Sequence, residues 1–563
     1  MRSFFRSDAL VVLVGLLLTN PVLAAAPAAT NDRPNFVVIM VDDMGFSDPG
    51  CYGGEINTPN IDRLASDGLR FTQFYNCSRC CQTRASLLTG AYPERVGMRD
   101  FGRSMDTDVP TLAENLRRGG YATSMSGKWH LTELPAKPTG AQRILWMNHE
   151  LQLKRPFGNK ATYPTRRGFE NFYGIIWGVV DHFDPFSLTD GETPVADVPD
   201  DYYATDAITS HAAQYIEDAV DTDKPFFLYV AYTAPHWPIQ APAADISKYH
   251  GKYSDGWQSL RQQRFARQQE LGLFDTSVPL GELSGRSPEW DNMSPEDREF
   301  EAAKMEVHAA MVDRVDQGIG KLIAELKRSG VYENTCILFL SDNGASPEIP
   351  GGPGYDRYSG TRDGRTAWRD AKLRRPENRA KLGTEESYTG IGHTWASAVN
   401  TPLRYWKMES YDGGCRTPMI VHWPQGIANR RGEFVADVGH VIDIAPTLYE
   451  LSGVQPVAET LCDGTSLAPV LAGEPTLEPR HLFFQHGNGA GVRYGKWKAS
   501  KRSGENWELF DLSQDPGETT NLASSHPEQL DELLSAWNTW QADLAGTTLD
   551  TAATSAAAKA AKQ

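Results

Sequence analysis

The sequence predicts an α/β protein: a large, mostly parallel sheet with helices on both faces, followed by a smaller C-terminal α+β subdomain. Three observations predict it. Four apolar runs of strand length lie between Phe36 and Leu340, and unbroken rather than alternating runs mark strands buried on both faces. A long helical pattern separates the last two runs, so helix and strand alternate. Each run also ends in a cluster of polar or ionisable residues, which is where open parallel sheets gather their sites.

Taken in order, Arg2 and Arg6 precede an apolar run, Ala9 to Leu18, that is too short to span a bilayer as a typical transmembrane helix. Val22-Leu23-Ala24 has the small-residue character of a cleavage site. Residues 1–24 are therefore expected to be a signal peptide, and the protein to be exported, periplasmic or secreted, with no membrane association after cleavage. The Ala/Pro-rich stretch from Ala25 to Pro34 reads as a flexible lead-in. The first strand, Phe36 to Val41, runs into Asp42-Asp43-Met44-Gly45. A weaker one, Tyr121 to Ser126, leads into Gly127-Lys128-Trp129-His130. Phe226 to Ala231 leads into Ala234-Pro235-His236-Trp237-Pro238, and Cys336 to Leu340 into Ser341-Asp342-Asn343-Gly344. Between these last two, Met305, Ala309, Val312, Val315, Ile319, Leu322 and Leu326 recur at helical spacing, with Gly330 as a stop.

The main domain is expected over residues 33–456. Two stretches within it, Asp245 to Asp297 with a basic helix at Arg261 to Glu270, and Pro347 to Thr394, are long for connections and read as functional rims or mobile insertions. A C-terminal unit, 457–545, contains Gly495-Lys496-Trp497-Lys498, Trp507 to Leu512 and an amphipathic helix near Pro527 to Leu544. The Ala/Thr/Lys-rich end, 546–563, is expected to be disordered.

A length of 563 residues accommodates this architecture. The net charge of −17 argues against nucleic acid as a partner, because phosphate backbones call for a basic surface. It leaves room for a small anionic substrate held by a few local cations. Seven cysteines are sparse for a disulfide scaffold of this length, and their pairing is not fixed by the sequence.

The segment carrying the most chemical information is Cys80-Cys81-Gln82-Thr83-Arg84-Ala85-Ser86-Leu87-Leu88-Thr89-Gly90. A nucleophile at the start of a helix, beside a fixed cation, faces a positive field suited to an anion. Asp42, Asp43, Asp342 and Asn343 are candidate metal ligands. All are hard oxygen donors, a set that suits Ca²⁺ or Mg²⁺ better than zinc. Either pair alone is more often a turn or a cap; two pairs at the ends of separate buried strands strengthen the metal reading. Lys128 and His130 lie two apart and face one side of an extended chain. His236 sits on a proline-stiffened loop, and Lys407 precedes the Gly413-Gly414-Cys415-Arg416-Thr417-Pro418 turn. Each of these would be unremarkable by itself.

These motifs, in this order, resemble the type I sulfatases of the alkaline phosphatase superfamily, in the flavour of bacterial arylsulfatases. The resemblance covers nearly the whole chain after residue 24. The C-terminal Glu508-Leu509-Phe510-Asp511-Leu512, with Asp515-Pro516 and Asn521-Leu522-Ala523, is similar to the family's end. Gln82 stands where the family usually has proline. The resemblance implies a sandwich built on one large sheet. It also implies that a maturation enzyme converts Cys80 to formylglycine, and that one Ca²⁺ is held by Asp42, Asp43, Asp342, Asn343 and an oxygen of the residue made from Cys80. Arg84 would support the nucleophile, and Asp342 would take the proton of its attacking hydroxyl. Lys128 and Lys407 would gather sulfate oxygens, His236 would protonate the leaving alcohol, and His130 would take the proton that triggers sulfate release. The implied substrate is a sulfated saccharide or aryl sulfate. Two alternatives stay open: a phosphoester or phosphonate hydrolase of the same superfamily, and a protein that binds sulfated glycans without cleaving them.

Overall fold

Ten strands form the central sheet: β1 (Asn35–Asp42), β2 (Leu69–Phe71), β4 (Ala122–Lys128), β5 (Asn171–Ile175), β6 (Leu188–Asp190), β7 (Thr193–Pro194), β8 (Phe226–Pro235), β9 (Thr335–Ser341), β10 (Met419–His422) and β11 (Phe434–Val435). A two-stranded pair joins β3 (Phe74–Tyr75) to β12 (Gly439–His440). The computed structural model describes residues 33–560 except 137–139, 148, 150–154, 286–287, 352–367, 428, 475–476 and 488. The expected signal peptide lies outside the described residues. Among the described residues, no helix is long and apolar enough to cross a membrane.

The strand order is β11-β2-β10-β9-β1-β8-β4-β5-β6-β7. The five central strands, β9 to β5, run parallel, while β10, β6 and β7 pair antiparallel with their neighbours. β1 shows why its sequence is apolar throughout. Val37, Ile39 and Val41 enter one core, and Phe36, Val38 and Met40 enter the other. Each such side chain contributes roughly 1.5–3 kcal/mol on leaving water. The first core takes the helices Ala204–Val220 and Pro295–Arg328; the second takes Cys80–Thr89, Leu112–Arg118 and Ile444–Ser452.

The helix expected from Met305 onward begins earlier, at Pro295. Ser294 caps it by accepting from the Asp297 amide, Pro295 opens it, and acidic residues fill its first turn. The Asp245 to Asp297 excursion is not an insertion apart from the core. Its helix, Gly256–Glu270, buries Trp257, Leu260 and Phe265 in the first core.

After Val457 the chain first adds Leu467, Val470 and Leu471 to the second core. The C-terminal antiparallel sheet follows: β13 (His481–His486), β14 (Gly489–Tyr494), β15 (Trp497–Lys501) and β16 (Glu508–Asp511). The helix Pro527–Ala560 covers it with Leu533 and Trp537, and continues through most of the stretch for which the sequence predicts disorder. From Arg33 onward the chain forms one compact unit, this sheet included.

Candidate active site at the carboxyl edge of the sheet

The parallel register sets the ends of β1, β4, β8 and β9 at one edge. Asp42 lies opposite Pro235, and Val41 opposite Ser341. Beyond that edge the turns after β1 and β9 are stitched together. The Asp342 amide donates to Val41 O at 3.0 Å, and the Asp43 amide to Asp342 Oδ1 at 3.3 Å. Asn343 Nδ2 donates to Asp43 Oδ1 at 2.6 Å. Asp43 has φ 68°, a left-handed conformation that Asp tolerates better than most residues. Gly45 is required by packing, since a Cβ there would lie 2.4 Å from Val399 O.

The Cys80–Thr89 helix, buried along its whole length, brings its N-terminal turn to the same edge. Arg84, one turn on, reaches Asp342 Oδ2 with Nε at 3.1 Å and Nη2 at 2.6 Å. Its Nη1 donates to Lys128 O at 3.0 Å. Lys128 Nζ lies 2.5 Å from Asp42 Oδ2. His130 Nδ1 lies 3.4 Å from Cys80 Sγ, with its ring packed edge-on against Phe101 and Trp177. Gly178 closes behind it: a Cβ there would fall 2.1 Å from His130 Cε1. His236 points Nε2 at Asp43 Oδ2, 3.5 Å away, and its Nδ1 is fixed by Trp237 O at 2.5 Å. Lys407 Nζ lies 2.9 Å from Asp43 and 3.5 Å from Glu348 Oε2. The structure thus brings Asp42, Asp43, Cys80, Arg84, Lys128, His130, His236, Asp342, Asn343 and Lys407 into one contact network.

Burial dominates the electrostatics. It pushes the Asp42 and Asp43 carboxyls up to about 6 and Asp342 to about 7, against the pull of Lys128, Lys407 and Arg84. It lowers His130 to about 4 and holds His236 well below the usual histidine range, with Lys407 adding to the latter effect. The hydrogen bond to the adjacent Cys81 thiol, with the Lys128 charge, holds the Cys80 thiol well below its ordinary value. Burial opposes charge on Lys407, but Asp43, Cys80 and Glu348 raise it well above the lysine range.

Two observations test whether a cation fits. Asp42, Cys80 and Asp342 offer donor atoms within 4.8 Å of one another, as do Asp42, Asp43 and His236. Asp42 Oδ1 and Asn343 Oδ1 are buried without any hydrogen-bond partner. Orphaned buried oxygens are costly and rare in proteins. Two of them, in a nest of carboxylates that burial drives towards protonation, fit a hard divalent ion with oxygen ligands.

Sequence reasoning missed several neighbours. Glu348 accepts from Trp237 Nε1 at 3.0 Å as well as facing Lys407. Tyr229 places its hydroxyl 3.4 Å from Arg84 Nη1. Phe101, Trp177 and His486 also surround the site. Tyr229 lies within the third strand run, but Glu348 and His486 come from elements whose proximity no local pattern announces.

The family model described as "Sulfatase" matches residues 34–454, and one described as "N-sulphoglucosamine sulphohydrolase, C-terminal" matches residues 404–535. An uncharacterized sulfatase of Schizosaccharomyces pombe is 32% identical over 92% of this chain and 94% of its own. An arylsulfatase of Klebsiella aerogenes is 33% identical over 77% of this chain and 89% of its own. Among solved structures, Ps i-CgsB in complex with a neocarrahexaose is similar in fold, with a TM-score of 0.62 at 24% identity over 90% of this chain and 92% of that one. The chain belongs to the sulfatase family of the alkaline phosphatase superfamily and is a sulfuric ester hydrolase.

Proposed function

We propose that this protein hydrolyses sulfate monoesters of saccharides or aryl alcohols, using a formylglycine made from Cys80 and one Ca²⁺. The observation that carries the reading is the pair of orphaned oxygens, Asp42 Oδ1 and Asn343 Oδ1, in the same cluster as Cys80. Asp42, Asp43, Asp342 and Asn343 would hold the ion. The matured residue 80 supplies a geminal-diol nucleophile with its own release step, and the cation supplies positive charge beside it. Cys80 Sγ stands in for one oxygen of that diol.

The chain's own residues do the rest. Arg84 fixes Asp342 by two bonds to Oδ2; Oδ1, which accepts only the long bond from the Asp43 amide, is the oxygen that takes the proton of the attacking hydroxyl. Lys128 and Lys407 turn their ammonium groups to the sulfate oxygens and offset charge as the transition state forms. His236 has its Nδ1 proton tied to the Trp237 carbonyl, so Nε2 is the atom that faces the leaving alcohol, and it delivers a proton there from the doubly protonated ring. His130 Nδ1, beside residue 80, accepts the proton that accompanies sulfate release. Export follows from the amino-terminal pattern of Arg2, Arg6 and the apolar run, and it gives access to a maturation enzyme on the way out. Gln82 donates through Nε2 to Arg99 O at 2.9 Å. It occupies the first helical turn, where a backbone N–H has no intrahelical acceptor, so the helix does not depend on its differing from proline.

The test is sulfate release from a panel of sulfated saccharides and an aryl sulfate, with the matched aryl phosphate beside it, using protein co-produced with a maturation enzyme. Preference for sulfate over phosphate supports the reading. The reverse preference would assign the site to phosphoester hydrolysis.

A further inference from the structure

A second cationic position adjoins the Cys80 cluster, and the chemistry above does not use it. Arg79 is the N-cap residue of the Cys80–Thr89 helix, one residue from the nucleophile. It is half-buried, and among the described residues no carboxylate lies within ion-pair distance of it. Its Nε is buried without a hydrogen-bond partner. Its Nη1 meets Nε2 of His486 at 3.3 Å.

His486 is the last residue of β13, so this position is assembled across the two sheets. Burial, and then the Arg79 charge, push His486 down to about 4, while Cys80 and Lys407 also act on it. The ring is held towards its neutral form, and with no carboxylate within ion-pair distance the Arg79 charge is uncompensated among the described residues. The guanidinium lies 4.5 Å over the Phe101 ring. Phe101 is 41% exposed, one of few large apolar side chains so exposed among the described residues. Its ring packs edge-on against His130 and Trp177, each at 5.3 Å. The Gln82 bond to Arg99 O anchors the loop that carries it.

A half-buried guanidinium with no carboxylate beside it is costly unless something anionic comes to its exposed side. Its planar fork matches a carboxylate or sulfate, and the Phe101 face suits the C–H surface of a sugar ring. We propose that Arg79, with His486 and Phe101, forms a subsite for a second anionic group, carboxylate or sulfate, on the sugar that leaves. The inference rests on the sulfatase reading of the Cys80 site and names its substrate class: sulfated saccharides bearing a further acidic group.

The experiment compares matured wild type, Arg79→Gln and Arg79→Lys on a monosulfated sugar, a disulfated sugar and a sulfated uronate. Wild type is expected to favour at least one doubly anionic substrate by about tenfold in kcat/KM, mostly through KM, the worth of one charge-assisted hydrogen bond. Arg79→Gln brings that ratio close to one, and Arg79→Lys keeps part of it. Which of the two doubly anionic substrates is favoured tells carboxylate from sulfate. No preference in wild type, or a ratio that Arg79→Gln leaves unchanged, overturns the proposal. Calorimetric binding of the disulfated sugar to Cys80→Ser, with and without Arg79→Gln, separates the two readings. If wild type releases sulfate from nothing, the functional reading fails. The subsite then stands on a roughly tenfold affinity loss in the double variant and falls on equal affinities.

Discussion

Two clusters of fully buried charge can be set side by side in this molecule. One is a lock that ties the C-terminal sheet to the short helix Asp412–Cys415 and to Tyr75 of β3. There Lys498 Nζ lies 2.5 Å from Asp412 Oδ1 and 3.0 Å from Glu518 Oε1. Asp412 Oδ2 accepts from the Tyr75 hydroxyl at 2.9 Å, with Arg416 at 3.4 Å, and the Asp412 amide donates to Glu518 Oε2. Despite its burial, Asp412 is held below its ordinary value by Lys498 and Arg416. The other cluster is the active site, where Asp42, Asp43 and Asp342 are all raised although Lys128, Lys407 and Arg84 touch them. The lock compensates its central carboxylate from within the chain. The site leaves Asp42 Oδ1, Asn343 Oδ1 and His130 Nε2 without a hydrogen-bond partner. Burial is common to both, and it raises one carboxyl of the lock, Glu518, as well; what marks the site as a place for ligands is three raised carboxyls and two orphaned oxygens gathered around one nucleophile.

The most severe way to break this comparison is to remove the nucleophile. Cys80→Ala is expected to lower kcat by at least about 10³-fold while leaving the thermal transition within a degree or two, because the thiol carries chemistry rather than packing; steady-state sulfate release and calorimetry on one sample check both halves. Asp342→Ala comes next. It strips a proposed ligand and leaves Arg84 buried without its nearest carboxylate, so both calcium content by elemental analysis and activity should fall, with a stability loss of about 3–5 kcal/mol. Retention of metal and activity would take Asp342 out of the site.

Lys498→Met probes the other cluster. It should cost a similar 3–5 kcal/mol in denaturant unfolding, since Asp412 and Glu518 lose their shared cation, yet calcium affinity should be unchanged. A parallel loss of calcium would show that the two clusters are not independent. The smallest effect concerns pH. Burial raises Glu518 to about 7 from 4.5. The folded state therefore holds that proton over a window in which the unfolded chain has released it, and stability falls as pH rises between about 5 and 7. Glu518→Gln should flatten this slope in unfolding curves taken across the window; an unaltered slope would assign it elsewhere.

How much of this was legible in the sequence depended on where each signal resides. The runs at Phe36, Phe226 and Cys336 were readable because both faces of those strands are buried, so nearly every position is apolar. The short strands β2, β6, β7 and β11, two or three residues each and towards the two ends of the sheet, are defined by their partners and leave no periodicity to read. The long helix start was missed because its signal is the Ser294-Pro295 cap, not the apolar spacing that begins at Met305. Within the site, Asp42-Asp43 and Asp342-Asn343 were legible as chemistry at the ends of two strands, which prove to be neighbours. Lys407 gained meaning only from the order of motifs. Glu348 and His486 reach the site from a loop and from the C-terminal sheet, a proximity that only the folded chain expresses.

The most direct measurement is peptide mass analysis across residue 80, on protein co-produced with a formylglycine-generating enzyme and on protein made without one. The account predicts an aldehyde at position 80 in the first sample, with sulfate release proportional to the aldehyde fraction. A thiol in both samples with equal activity would contradict it.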